Sequence, residues 1–456
     1  MKVTFYGGTG NVTGANFLLE HGGTDKTFRA LIDCGFLQGV EHADDFNRDT
    51  FPYKPEDIDV VLITHAHMDH IGRVPKLVKD GFRGKIYSTA PTRDMAELLF
   101  ADALQIIDTE ARKSGTLPIY EKADAEQAIS LWQTVEYHTP TDIGGGLMIT
   151  LSDAGHILGS SMIAITDGKT KVVFTGDLGN SPSLLLNDTE DINHADYIIM
   201  ESVYGDRNHE SKEMRRAKLR DVLRESIEEK RTLIIPAFSV ERTQMLLYEM
   251  NEFFEKGELP HTPVFLDSPL AIKITKVYEK YTKYLNSAVR SQIKSGDDIF
   301  KFPKLRATPY AADSRKIELS PNPKIIIAGS GMSSGGRVVH HEKENVDNPN
   351  ATILLVGYQA LGTLGRQLED GAKQVRIWNE NHAVRCRIEK INGYSSHKDS
   401  DHLTELIAHA AAEYKPKQVF AVMGEPKSSM FLAQRLQDEV GVNAIYPEYG
   451  SMYELN

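Results

Sequence analysis

The chain has only two cysteines, Cys34 and Cys386, in 456 residues. That is too few for a disulfide framework. Both sit in apolar stretches and read as reduced core residues. No stretch approaches the ~20 continuous apolar residues of a membrane span, so a helical membrane protein is excluded. The opening MKVTFYGGTG lacks the basic-then-apolar order of a secretory leader. The expectation is a soluble, cytoplasmic protein with no membrane partner. A basic excess is missing too: Lys plus Arg number 52 against 64 Asp plus Glu, a formal net charge of −12. A surface that coats nucleic acid throughout is basic, so any such contact has to be local. Repeats of ~20–50 residues are absent, which excludes a solenoid. No Gly-rich loop ends in Gly-Lys-Ser/Thr, so nucleoside triphosphate binding is not indicated.

What is present is ordinary globular composition, 41% apolar and 25% charged, over about three domain-equivalents of length. The first half reads as short buried strands between Gly-rich turns: KVTFYG at 2–7, ALIDCG at 30–35, VVLITH at 60–65 and KVVFTGD at 171–177. Each ends in polar residues, so polar groups gather at one edge of the sheets. The stretch 91–113 reads as helix. So does 211–231, with Leu219, Val222, Leu223 and Ile227 on one face and Ser211 as N-cap. From there strands such as TLIIPAF, VFLDSP, KIIIAGSG and TILLVGY alternate with helices, the pattern of a parallel sheet with crossover helices. After 375 the chain returns to short strands and one helix over 401–414.

The densest signal is His65-Ala-His67-Met-Asp69-His70, directly after an apolar strand. His65 and His67 are two apart, so an extended segment points them the same way. Asp69 and His70 follow where the chain turns into helix. Imidazole suits Zn²⁺, and carboxylate binds or bridges metal. His156, in DAGHILGS, and Asp177, closing KVVFTGD, fall at the same edge and complete a metal site.

HAHMDH, AGHILGS and TGDLG resemble the successive metal-binding motifs of the metallo-β-lactamase superfamily, with Asp33 in LIDCG matching the preceding Asp motif. ESVYGDR from Glu201, IPAF from Ile235, GSGMSSGGR from Gly329, GYQALGTLGR from Gly357 and YSSH ending at His397 resemble its β-CASP subgroup of RNA-processing nucleases. The resemblance implies an α/β fold: a metallo-β-lactamase αββα sandwich with an inserted α/β β-CASP domain. The sandwich is expected over 1–207 and 376–456, and the insertion over 208–375. It implies two Zn²⁺ per chain, one on His65, His67, His156 and Asp177, the other on Asp69, His70 and a bridging Asp177. Asp33 would orient a ligand histidine, and His397, paired with Glu201, would protonate the leaving oxygen. The implied activity is zinc-dependent hydrolysis of RNA phosphodiester bonds by a metal-activated hydroxide, as an endonuclease. RNA is the implied substrate, and dimers are common in the group.

One departure stands out. Where the family carries a ligand histidine in Val-His-Gly-Glu, this chain has Val422-Met423-Gly424-Glu425. A thioether is a weak ligand for a hard zinc site. Either the second zinc is weak, or a residue such as His402 substitutes, or the chain is a catalytically weakened RNA-binding subunit. A small-molecule hydrolase of the same fold is the other alternative, but it has no need of the insertion. Ser330 and Ser333 lie in a Gly-rich loop whose backbone N–H groups suit phosphate, and Arg337 and Arg366 are candidate phosphate contacts.

Overall fold

The computed structural model describes residues 1–22, 27–209, 212–360 and 362–456; the expected N-cap Ser211 lies outside them. The chain forms two compact units, Met1–Asn208 with His397–Asn456, and His209–Ser396.

The first unit holds two seven-stranded sheets. One runs Met452–Glu454, Lys2–Phe5, Phe17–Gly22, Thr27–Ile32, Val60–Leu62, Lys85–Ser88, Trp132–Thr134. The other runs Ala444–Ile445, Gln418–Val422, Tyr197–Glu201, Lys171–Phe174, Ser161–Thr166, Leu147–Asp153, Thr141–Gly144. Alternating residues of both sheets, including Phe5, Phe17, Ile32, Leu151, Ile163, Phe174 and Phe420, fill one apolar layer between them. Burying each such side chain contributes about 1.5–3 kcal/mol. A second cluster seats the helices Ser400–Glu413 and Pro426–Arg435 on the outer face of the second sheet, through Ile198 and Met200 against Leu403, Ile407 and Leu432. The helix Pro426–Arg435 is absent from the sequence reading, although Pro426 at its first turn is a start signal.

The strands that carry the site are parallel. Thr27–Ile32 and Val60–Leu62 run together in one sheet, Lys171–Phe174, Tyr197–Glu201 and Gln418–Val422 in the other. Their carboxyl ends release Asp33, His65, Asp177, Glu201 and Met423. Two glycines permit the crowding there. A Cβ on Gly176, whose φ is +55°, would stand 2.6 Å from Thr64 Cβ, and one on Gly35 would overlap the Asp69 carbonyl.

The inserted unit has a six-stranded parallel sheet, ordered Leu305–Ala307, Val264–Asp267, Lys324–Ala328, Thr232–Pro236, Ala351–Val356, Arg387–Ile391. Its last strand shifts the expected boundary. Arg387–Ile391 pairs in register with Ala351–Val356, from Thr352 opposite Arg387 to Val356 opposite Ile391. The compact unit that holds this sheet therefore runs to Ser396, 396 − 375 = 21 residues past the boundary expected from the sequence pattern. A non-local parallel pairing decides this, and local patterning does not report it. No helix among the described residues is long and apolar enough to cross a membrane.

Candidate metal and catalytic site

Thr64 and His65 follow the strand Val60–Leu62, and His67, itself extended, precedes the short helix Met68–Ile71 that aims Asp69 and His70. His65 Nε2 lies 3.1 Å from His67 Nδ1, and His156 Nε2 lies 3.2 Å from the same atom. Asp177 Oδ2 stands 3.5 Å from both His65 Nε2 and His156 Nε2. Bonds of ~2.0–2.1 Å to a tetrahedral zinc place neighbouring donors about 3.3 Å apart, close to these separations. Burial pushes the pKa of His65, His67 and His156 below the usual imidazole range, so each presents a neutral ring with a lone pair. Asp177 goes the other way: burial opposes its charge, but His70, His65 and His397 outweigh that and hold it ionised.

The other oxygen of Asp177 faces His70. Oδ1 is 3.3 Å from His70 Nε2, and Asp69 Oδ2 is 4.0 Å from the same nitrogen. Asp177 thus presents one oxygen to each group of donors. His70 Nδ1 meets Asp33 Oδ2 at 2.7 Å, which commits the Nδ1 proton and leaves Nε2 as the donor atom. His70 Nε2 is buried with no hydrogen-bond partner, a polar atom on which a cation would take the place of a proton. Burial disfavours charge on His70, yet the Asp177 and Asp33 carboxylates push its pKa well up. The same carboxylates favour positive charge at this position. A metal fits the donor set on all three counts.

Asp33 is fully buried and left-handed at φ 59°, a conformation that its side-chain contacts maintain. Thr64 supports it, donating its backbone N–H to Asp33 Oδ1 at 2.9 Å and its hydroxyl to Oδ2 at 2.8 Å. The sequence reading passed over Thr64; its place directly before His65 was the available signal. Asp33→Asn tolerates the same backbone conformation but removes the charge behind His70. Metal affinity is expected to fall about 10-fold or more, read by competition with a chromogenic chelator.

Glu201 and His397 come together as the resemblance implied. His397 Nδ1 is 3.2 Å from both Glu201 oxygens and 3.9 Å from Asp177 Oδ2. The backbone N–H of Leu178 donates to Glu201 Oε1 at 2.5 Å, which fixes the carboxylate. Burial works against charge on His397, but Glu201 and Asp177 override it and push the pKa up to about 9. The two carboxylates thus favour the protonated form of His397.

The remaining candidates are placed differently. Met423 is buried, with φ 52°, and packs in the apolar layer between the sheets; its N–H donates to Gly8 O at 2.6 Å. His402 does not join the donors. Its Nδ1 lies 2.6 Å from Asp399 Oδ1, within the N-terminal turn of Ser400–Glu413. In the inserted unit, the Ser333 hydroxyl is buried and donates to Glu342 Oε1, while Ser330 bonds to Ser334 and Gly335. Arg337 is tied to Asp267 at 2.6 Å and to the carbonyls of Thr308 and Pro309. Arg366 pairs with Asp370 through both carboxylate oxygens, at 3.0 and 2.9 Å. Both arginines are intramolecular ion pairs here, and Asp267, 70 residues before Arg337, gave no local hint of it.

A two-sheet sandwich flanked by helices, with these donors on its strand ends, is the framework of a metallo-hydrolase. Residues 23–202 match the metallo-beta-lactamase superfamily domain, 243–368 the Beta-Casp domain, and 381–447 the Zn-dependent metallo-hydrolase RNA specificity domain. The chain belongs to the β-CASP family of the metallo-β-lactamase superfamily. It is 32% identical over 437 residues to Ribonuclease TTHA0252 of Thermus thermophilus, covering 96% of each chain. It is 32% identical over 458 residues to Transcription termination factor FttA of Methanosarcina mazei, covering 97% of this chain and 70% of that one. A crystal structure of a protein of unknown function from Enterococcus faecalis shares the fold, with a TM-score of 0.55 at 14% identity over 99% of both chains.

Proposed function

We propose that the chain is a zinc-dependent ribonuclease that hydrolyses RNA phosphodiester bonds endonucleolytically, with RNA as its partner and the cytoplasm as its compartment. The observation that carries the reading is the His397–Glu201 pair beside the imidazole–carboxylate cluster. A phosphodiester needs both a charged centre for its oxygens and a proton for its departing alkoxide. Bound to these donors, two zinc ions would lower the pKa of water toward neutrality and neutralise charge on the phosphate oxygens. The chain's own groups supply the rest. Asp33 and Thr64 fix His70, Asp177 spans the two donor groups, and Glu201 holds His397 by Nδ1, so the proton His397 transfers is the one on Nε2. The name of one relative, a ribonuclease, points to the same substrate class.

A digest of 5′-end-labelled single-stranded RNA with zinc tests this. Internal fragments that vanish on chelation are expected; mononucleotides alone would replace the endonuclease by a 5′-exonuclease. Met423 supports a second reading, a weakened RNA-binding subunit. Met423→His is expected to raise bound zinc toward about two ions per chain. Equal stoichiometry in both proteins, by metal analysis, overturns the idea of a weak second site.

A further inference from the structure

The inserted unit carries a two-stranded hairpin, Gln374–Ile377 against Glu380–Ala383, whose turn is Trp378-Asn379. Trp378 sits at φ 52°, in the left-handed region that such turns reserve for Gly or Asn. Burial does not compensate, because Trp378 is 59% exposed. Its surroundings are cationic. Lys343 Nζ lies 5.0 Å from its ring centroid, and the His340 ring is stacked 6.5 Å away at 22°.

The strands continue the pattern. Val375 and Ile377 are buried on one face, while Arg376 and its partner Asn381 point out on the other, and Lys373 and Arg385 are exposed at the hairpin's base. Residues 373–385 carry three cations against Glu380 alone, a net of 3 − 1 = +2, in a chain whose formal charge is −12. Lys343 holds Glu380 at 2.8 Å. Among the described residues, no ion pair engages Lys373, Arg376 or Arg385.

We propose that this hairpin is a binding site for single-stranded RNA, with Trp378 stacking on an unpaired base and Arg376 and Arg385 meeting the flanking phosphates. A strained, exposed indole at the tip of a hairpin whose Lys373, Arg376 and Arg385 are exposed fits a ligand with both a π-face and a negative backbone. Duplex RNA hides its base faces and fits poorly. The choice of RNA over another polyanion rests on the ribonuclease reading.

The chain has two tryptophans, and Trp132 is buried with its indole N–H on Ser88, so emission quenching reports on Trp378. Titration of the full chain with a 12-nucleotide oligouridylate, with a chelator present to block cleavage, is expected to quench the emission. Read by the anisotropy of an end-labelled oligouridylate, since these variants lack the emitting residue, Trp378→Ala should weaken binding about 5- to 150-fold, and Trp378→Asn, which suits the turn, should do the same in a folded protein. Trp378→Phe should recover part of the affinity. Each of Arg376→Ala and Arg385→Ala should lower the salt slope by about one. Binding by Trp378→Asn within about twofold of wild type overturns the site, as does equal quenching by polyglutamate. An active nuclease with no quenching overturns this site and leaves the ribonuclease reading; quenching by a protein that cleaves no RNA does the reverse.

Discussion

RNA cleavage by His67→Ala is expected to fall to the uncatalysed background, with bound metal reduced by about one ion per chain. His67 Nδ1 is the atom on which the cluster closes, 3.1 Å from His65 Nε2 and 3.2 Å from His156 Nε2. Without it, two imidazoles and a carboxylate already shared with His70 remain. The fold should survive, because the His67 side chain is half-buried and makes no cap bond to the helix it precedes. The check combines labelled-RNA cleavage, metal analysis and thermal melting on the two proteins. If wild type and variant cleave alike, or are alike inert across a panel of RNAs, the nuclease reading fails.

His397→Ala is expected to lower kcat by about 10²- to 10⁴-fold with little change in bound metal. The pH profile separates a proton donor from a structural residue. A general acid works protonated, so activity is lost as pH rises through its pKa. In the isolated chain that pKa is raised from 6.5 to about 9, with burial opposing and the Glu201 and Asp177 carboxylates prevailing. Cations on Asp177 weaken its share of that attraction. The wild-type alkaline limb should therefore fall between 6.5 and about 9, and it should be missing in His397→Ala. Glu201→Gln should move the limb to lower pH, because the carboxylate that stabilises the imidazolium is gone. A limb at the same pH in His397→Ala would assign the proton to another group.

Much of this site is legible in the sequence because the chemistry is local. Four donors fall within six residues at His65–His70, and strand-end polarity placed His156 and Asp177 at the same edge. Geometry adds what spacing cannot carry: that Asp177 divides its oxygens between donor groups, and that Thr64 holds Asp33 from one residue before His65. Met423 shows the limit from the other side. Its position in the motif is readable, but its burial in the apolar layer follows from packing by both sheets. Arg337 reads as a free cation until Asp267 is brought across the sheet. The place of Arg387–Ile391 in the six-stranded sheet is hidden for the same reason, since it joins a strand some 35 residues earlier, from Thr352 opposite Arg387 onward.

The split of the sandwich in sequence has a consequence for synthesis. Gln418–Val422 lies between Tyr197–Glu201 and Ala444–Ile445, and Met452–Glu454 pairs with Lys2–Phe5. The second sheet waits for Gln418–Val422 and Ala444–Ile445, and the first for Met452–Glu454. The inserted unit, whose strands are all contiguous between Thr232 and Ile391, is finished earlier. Its emergence while the first unit still lacks these strands leaves the apolar layer around Phe5 and Phe174 without its Phe420 partner for the time needed to translate 420 − 396 = 24 more residues. A chain truncated after Ser396 should therefore contain a folded, protease-resistant insertion and an unclosed, chaperone-binding sandwich.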